Sequence, residues 1–362
     1  MLSLLLALAA APAVLQEPAA DASVLSAEGR AAARAGLRWL AREQAEDGAW
    51  RSDVGYKLQD GYALWRRDAS HIGVTALAGM AFLAGGHVPG RGPYGAVVEK
   101  ALDYILRHVD DQGFITHNET RMYSHAFATL FLAEVYGMTD REDVRGALQR
   151  AVDLIVNSQN RDGGWRYNPH AADADMSVTV CQVVALRAAR NIGIQVPAGT
   201  IDRAIQYVKK SAVREGDPTP FGFRADPPGS FRYQPHWEAR ATFALTAAGL
   251  TTLNGAGVYA DEDIERGLRV LEDDLRRFSS YWGQREAHYF FYYGHYYAVQ
   301  AFHIAGGERW RRYFEEVERV LLSMQTSDGS WPNHTGPGPA YSTATACLIL
   351  QIPREYLPIF QR

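Results

Sequence analysis

Three stretches of the chain repeat one spacing, Gln-x-x-Asp-Gly-x-Trp: Gln44 to Trp50, Gln159 to Trp165 and Gln325 to Trp331. Looser copies occur at Asp111-Gln112-Gly113-Phe114, at Phe221-Gly222-Phe223 and at Tyr281-Trp282-Gly283. The aromatic anchors therefore fall at 50, 114, 165, 223, 282 and 331, a mean interval of about 56 residues. An interval of that length holds two helices and two loops, and self-similarity at a fixed period is the signature of a repeat architecture. A turn built this way has a mechanical logic. Gln closing one helix can bond loop backbone, Asp-Gly makes a tight turn with Gly beyond the helix end, and Trp pins that turn beneath the next helix.

The two helices of each unit differ in kind. The first is half polar, as in VEKALDYILRHV and IERGLRVLEDDLRRF, and suits an outer layer. The second is apolar nearly all round, as in HIGVTALAGMAFLAG and MSVTVCQVVALRAA, and suits a buried inner layer. Six such pairs close into an all-α fold, an α/α toroid of six outer and six inner helices. No strand is expected. Cys181 and Cys347 fall on the third and sixth inner helices, across the ring from each other, so no disulfide is expected.

Composition excludes several classes of function. The 362 residues carry 37 Lys and Arg against 41 Asp and Glu, a net charge of −4, and contain no long basic run. Nucleic acid is therefore not an expected partner. Residues 2–14 are uncharged and rich in Leu and Ala, with Ala11-Pro12-Ala13 as a cleavage-like site, although no Lys or Arg precedes them. Residues 1–22 are read as an export signal with a short linker, and 23–362 as one toroid, placing the protein in the periplasm or outside the cell. No later segment reaches 18 uncharged apolar residues.

All inner helices of a toroid run the same way, so their starts converge on one mouth. Pairs at i and i+4 recur near those starts: His71/Thr75, His125/Thr129, Asp175/Thr179, Glu238/Thr242, Tyr292/Tyr296 and Tyr341/Thr345. Such pairs share a helix face, which predicts a ring of His71, His125, Asp175, Glu238, Tyr292 and Tyr341 above a second layer of mostly Thr. His288 extends the aromatic stripe of Tyr292 and Tyr296. Each residue also has a purely structural role open to it: Asp173 and Asp175 as helix caps, Thr as interhelical packing, the His and Tyr stripe as satisfied core.

The repeats resemble the QW motifs of the squalene–hopene cyclase and protein prenyltransferase β-subunit superfamily, over nearly the whole chain after residue 22. Asp173-Ala-Asp175-Met176 also resembles the D-x-D-D acid motif of class II terpene cyclases. That resemblance implies that Asp175 protonates an alkene or epoxide, with Asp173 matching the first Asp of the motif. Met176 replaces the last one. The D-x-C zinc spacing of the prenyltransferases is not matched, since Asp175 and Cys181 lie six residues apart, so neither metal nor cofactor is expected.

Three functions fit this reading. The first is action on, or binding of, an isoprenoid or related hydrophobic ligand in the central cavity, with peripheral membrane contact as its corollary. The second is a carbohydrate-binding or carbohydrate-cleaving mouth in which Asp175 and Glu238 pair at a separation of about 5.5 Å or 6.5–9.5 Å. The third is a noncatalytic envelope binding protein. A dry aromatic cavity marks the first, an open groove with paired carboxylates the second, and a mouth filled by side chains the third.

Overall fold

The computed structural model describes residues 24–58, 61–218, 225–236, 238–259, 261–278 and 289–361. The expected leader, the Phe221–Phe223 and Tyr281–Gly283 anchors, and His288 lie outside them. Outer helices α1 (Ala27–Glu43), α3 (Gly95–Arg107), α5 (Glu142–Asn157), α7 (Ala198–Lys210), α9 (Glu262–Phe278) and α11 (Gly307–Met324) alternate with inner ones. The inner helices are α2 (Ile72–Ala84), α4 (Met122–Tyr136), α6 (Met176–Asn191), α8 (Phe243–Gly255), α10 (Tyr289–Ala305) and α12 (Pro339–Gln351). Each inner helix packs on the next, and α12 returns to α2, closing the ring. The chain is an all-α toroid of six outer–inner pairs.

The turns are built as their residue types require. Gln44, Gln159 and Gln325 each donate through Nε2 to the carbonyl of the following Gly48, Gly163 or Gly329, and to a carbonyl on the next outer helix, those of Val97, Thr200 and Ala32. Trp50, Trp165 and Trp331 are buried, and each indole N–H donates to a carbonyl ten residues earlier, at Leu40, Ile155 and Leu321. Gly163 adopts φ of +93°, and a Cβ there would lie 2.3 Å from the Arg203 carbonyl oxygen, so only glycine fits.

The anchors obey a simpler rule than the expected one. A glycine of positive φ at 48, 113, 163, 229 and 329 precedes by two residues a buried apolar side chain: Trp50, Ile115, Trp165, Phe231 and Trp331. Ile115 thus replaces Phe114 as the second anchor, and Phe231 holds the corresponding place before α8. Each anchor's backbone N–H is bonded by a side chain on the following inner helix: Thr75 Oγ1 at 3.0 Å, His125 Nδ1 at 3.1 Å, Thr179 Oγ1 at 3.1 Å, Thr246 Oγ1 at 3.1 Å and Thr343 Oγ1 at 3.0 Å. These side chains satisfy buried donors that would otherwise be orphaned. Thr179→Val is expected to leave the Trp165 N–H unpaired and to lower stability by about 1–2 kcal/mol in urea unfolding.

Two features depart from the sequence expectations. An antiparallel hairpin, β1 (Arg51–Leu58) and β2 (Gly61–Ser70), stands between α1 and α2 where no strand was expected. β1 exposes Arg51 and buries Ser52 and Val54, but irregular pairing on either side of Val54 breaks the alternation and Tyr56 is exposed, so the strand signal is short enough to be lost in a helical repeat. At the opposite end, 3-10 turns at 352–354 and 358–360 bury Leu357, Ile359 and Phe360 against the ring. Cys181 and Cys347 are free and buried.

Candidate functional site

The mouth lies where the inner helices begin, and the first residue to place is Asp175. It is the N-cap of α6 and fully buried. Its Oδ1 accepts the Val178 backbone N–H at 3.0 Å and the Ser177 hydroxyl at 2.5 Å, while Oδ2 accepts from the Arg166 guanidinium at 2.9 Å. Burial raises the Asp175 pKa above the ordinary carboxylate value, and the bonds from Ser177, Val178 and Arg166 offset only part of that rise. Arg166 also reaches the exposed Asp173, Nε to Oδ2 at 3.2 Å. One guanidinium therefore clamps both carboxylates of the Asp-x-Asp motif.

Around this clamp the mouth is aromatic. Arg166 donates to the Tyr233 hydroxyl at 2.9 Å, and the Tyr233 and Tyr167 hydroxyls lie 2.5 Å apart. Tyr123 donates to Ser177, extending the chain from Asp175 across to α4. The Tyr167 ring lies 4.6 Å from the Arg166 guanidinium and 4.8 Å from that of Arg121. Arg121, the N-cap of α4, also lies 4.4 Å from the Trp65 ring and 5.9 Å from that of Tyr56, both on the hairpin. It has no carboxylate partner among the described residues. Trp65 is 43% exposed, and Leu64 and Tyr56 are 37% exposed, so the hairpin presents an apolar rim beside a cation.

Below the mouth, α10 fills the ring. The Tyr293 hydroxyl donates to the Ser177 carbonyl at 3.2 Å, the Tyr297 hydroxyl lies 3.2 Å from the Cys181 sulfur, and Tyr296 packs edge-on against Phe127 of the facing α4. Phe360 closes on Tyr296 from the far end. Tyrosine supplies both the volume and the hydroxyl that a polar lumen between apolar helices requires.

The expected ring is therefore only partly assembled. Asp175 and His71 do sit at inner-helix starts, His71 as the N-cap of α2 with Nδ1 accepting from Val74 N, and burial lowers its pKa to about 4. Tyr292 is buried near the start of α10 with its hydroxyl on the Pro332 carbonyl at 2.7 Å, against Tyr341. Tyr296 lies one turn deeper. His125 is turned the other way: Nδ1 takes the Ile115 N–H and Nε2 donates to the Ala151 carbonyl on α5. Glu238 is exposed in the turn before α8, whose N-cap is Thr242, so Asp175 and Glu238 do not sit on matching inner-helix starts. Asp175 pairs with Arg166. Among the described residues, no group of three or more His, Cys, Asp and Glu is placed to hold a metal ion.

Both misplacements have one cause, a slip of one helical turn. The anchor-binding residue defines the register, and four residues before it come His71, Arg121, Asp175, Thr242 and Pro339, so Tyr341 lies two residues off it. Pairing His125 with Thr129 hid Arg121, and pairing Glu238 with Thr242 hid Thr242's cap. Arg166 was also legible: it follows Trp165 directly, as Arg51 follows Trp50.

No protein-family model matches the chain. Over 166 residues, 45% of the chain, it is 30% identical to the drimenyl diphosphate synthase of Streptomyces showdoensis, and that stretch is 28% of the enzyme's length. Solved structures match over far more of the fold. The GH76A alpha-1,6-mannanase of a Salegentibacter species superposes with a TM-score of 0.63 over 91% of this chain and 99% of its own, at 8% identity. A variant of the type II terpene cyclase MstE from Scytonema, bound to its substrate geranylgeranyl dihydroxybenzoate, superposes with a TM-score of 0.55 over 92% and 98%, at 14% identity. In fold, this chain is a terpene cyclase-like α/α toroid, an architecture it shares with GH76 mannanases.

Proposed function

We propose that the mouth binds a small amphiphilic anion of the isoprenoid class, and that it does so without protonating it. The observation that carries this reading is Arg121, a guanidinium with no carboxylate partner among the described residues, set against Trp65, Tyr167 and Tyr56. Desolvation of that cation lowers its pKa, a cost that an anionic ligand group would offset. The rings and Leu64 would take the apolar part. Asp175 and Asp173, both held by Arg166, act as anchors of the mouth: both oxygens of Asp175 are already engaged by Val178, Ser177 and Arg166 rather than directed at a ligand. The similarity to drimenyl diphosphate synthase supports the ligand class. Export by residues 1–22 belongs to the same proposal.

The exposed Trp65 ring favours a second reading, stacking on a sugar, in keeping with the mannanase neighbours. Calorimetry separates the two, with farnesyl diphosphate, farnesol and alpha-1,6-mannotriose as ligands. Farnesyl diphosphate is expected to bind best, and Arg121→Ala to weaken it by about 10- to 100-fold, the worth of a charge-assisted hydrogen bond. Binding of the diphosphate that ignores Arg121, or of mannotriose alone, would overturn the isoprenoid reading.

A further inference from the structure

Outside the mouth, a cleft of about 520 Å³ opens between the last turn of α7, the loop that follows it, and the extended segment 230–236. Among the described residues its lining holds four cations, Lys209, Lys210, Arg214 and Arg232, against the single carboxylate of Asp217. Counting Asp261 and Asp263, which pair with two of these cations from behind the lining, the cluster has four cations against three carboxylates. Three of the cations are fixed in place by acids. Lys209 meets Asp261 at 2.6 Å, Arg214 meets Asp263, and Arg232 donates to Asp217 at 2.8 Å. Asp217 also accepts the Arg214 backbone N–H at 2.9 Å, which helps hold its pKa low, so it stays an ionised strut within the cleft wall. Asp261 and Asp263 stand behind the lining rather than in it.

Arg232 is the least expected of these residues. Its side chain is 7% exposed, its backbone N–H is held by the Ser211 carbonyl at 2.8 Å, and its Nε–H has no partner among the described residues. A guanidinium has five N–H donors, and buried polar groups are ordinarily satisfied. Lys210 adds an exposed ammonium without a carboxylate partner among the described residues. A planar fork held by Asp217, beside the exposed ammonium of Lys210, is a donor set that phosphate oxygens fit.

We infer that this cleft is a second anion site, which takes a compact polyphosphate such as inorganic pyrophosphate. The volume lies within the range of small-molecule sites, and among the described residues the lining has no Phe, Tyr or Trp, its one ring being the small imidazole of His236. The site is independent of the ligand proposed for the mouth, although Tyr233, the neighbour of Arg232, bonds Arg166 there. An anion bound in the cleft would thus sit one residue from the mouth's clamp.

The test is calorimetric titration of the full chain with inorganic pyrophosphate in phosphate-free buffer. The titration is run in Arg121→Ala, which removes the anion contact proposed for the mouth; saturable binding at submillimolar concentration is expected to persist there and to weaken at least about 10-fold when Lys210→Glu or Arg232→Gln is added. Lys210 is exposed, so its variant reports on charge without threatening the fold, and melting curves check the Arg232 variant. No saturation by about 10 mM, affinity unchanged from the parent in both cleft variants, or loss of binding in Arg121→Ala alone would each overturn the inference. In the last case the mouth, and not the cleft, holds the anion.

Discussion

Arg166→Met is expected to destabilise the fold by about 3 kcal/mol at neutral pH, because it leaves the fully buried Asp175 without its counter-charge. The estimate sits at the low end for a broken buried pair, since Ser177 and the Val178 N–H still hold the carboxylate. The variant also removes the tie between α6 and Tyr233, so the mouth should loosen as the protein weakens. The pH dependence identifies the cause. Without the guanidinium, burial raises the Asp175 pKa further above the ordinary carboxylate value, and a raised folded-state pKa lowers stability as pH climbs toward it. The deficit against wild type should therefore shrink as pH is lowered and the carboxyl takes up its proton. Urea unfolding at pH 7 and pH 5 measures it. A deficit that is constant with pH would mean that lost packing against Tyr167 and Tyr233, and not charge, is responsible.

The same clamp explains why the Asp-x-Asp motif reads one way in sequence and another in structure. Spacing alone places two carboxylates at a helix start and cannot show that Arg166, nine residues before Asp175, lies between them. The fold was legible because each repeat carries its own evidence: Gln, Gly and Trp make bonds within one turn and its neighbouring helices, and the alternation of half-polar and apolar helices sorts the layers. The site was less legible because its residues meet across elements far apart in the chain. Trp65, Arg121, Tyr167 and Tyr233 come from a hairpin, a helix cap and two loops, and nothing local joins them. What sequence could have offered was the register. Counting back four residues from the side chain that binds each anchor yields Arg121. Counting from a Thr one turn too far yields His125, a core residue.

The register also leaves a charge-sensitive core, since His125 occupies the position held in other repeats by Thr75, Thr179, Thr246 and Thr343. Buried between α4 and α5, its pKa falls to about 3 by desolvation. Below its ordinary value of 6.5 the unfolded chain takes up the proton that the folded chain refuses, so stability is lost as pH falls. At pH 5 this amounts to about 2 kcal/mol. Glu134, on the same helix, acts in the opposite sense. Burial lifts its pKa from 4.5 to about 8 against the Ile359 N–H and Arg187, and Oε2 has no hydrogen-bond partner among the described residues. The folded state holds that carboxyl protonated where the unfolded chain is ionised, so acidification from pH 7 to 5 returns about 2–3 kcal/mol. Wild-type stability between these pH values therefore hides two opposed terms, and paired variants separate them. His125→Thr keeps an acceptor for the Ile115 N–H and should gain about 2 kcal/mol relative to wild type on going from pH 7 to pH 5. Glu134→Gln, a neutral mimic of the protonated acid, should lose about 2–3 kcal/mol relative to wild type over the same step. The measurement is the pH dependence of urea unfolding for all three proteins. Parallel curves would place the two groups in water rather than in the core. Curves that diverge in opposite directions would fix His125 in the core between α4 and α5 and leave the mouth to Arg121 and Asp175.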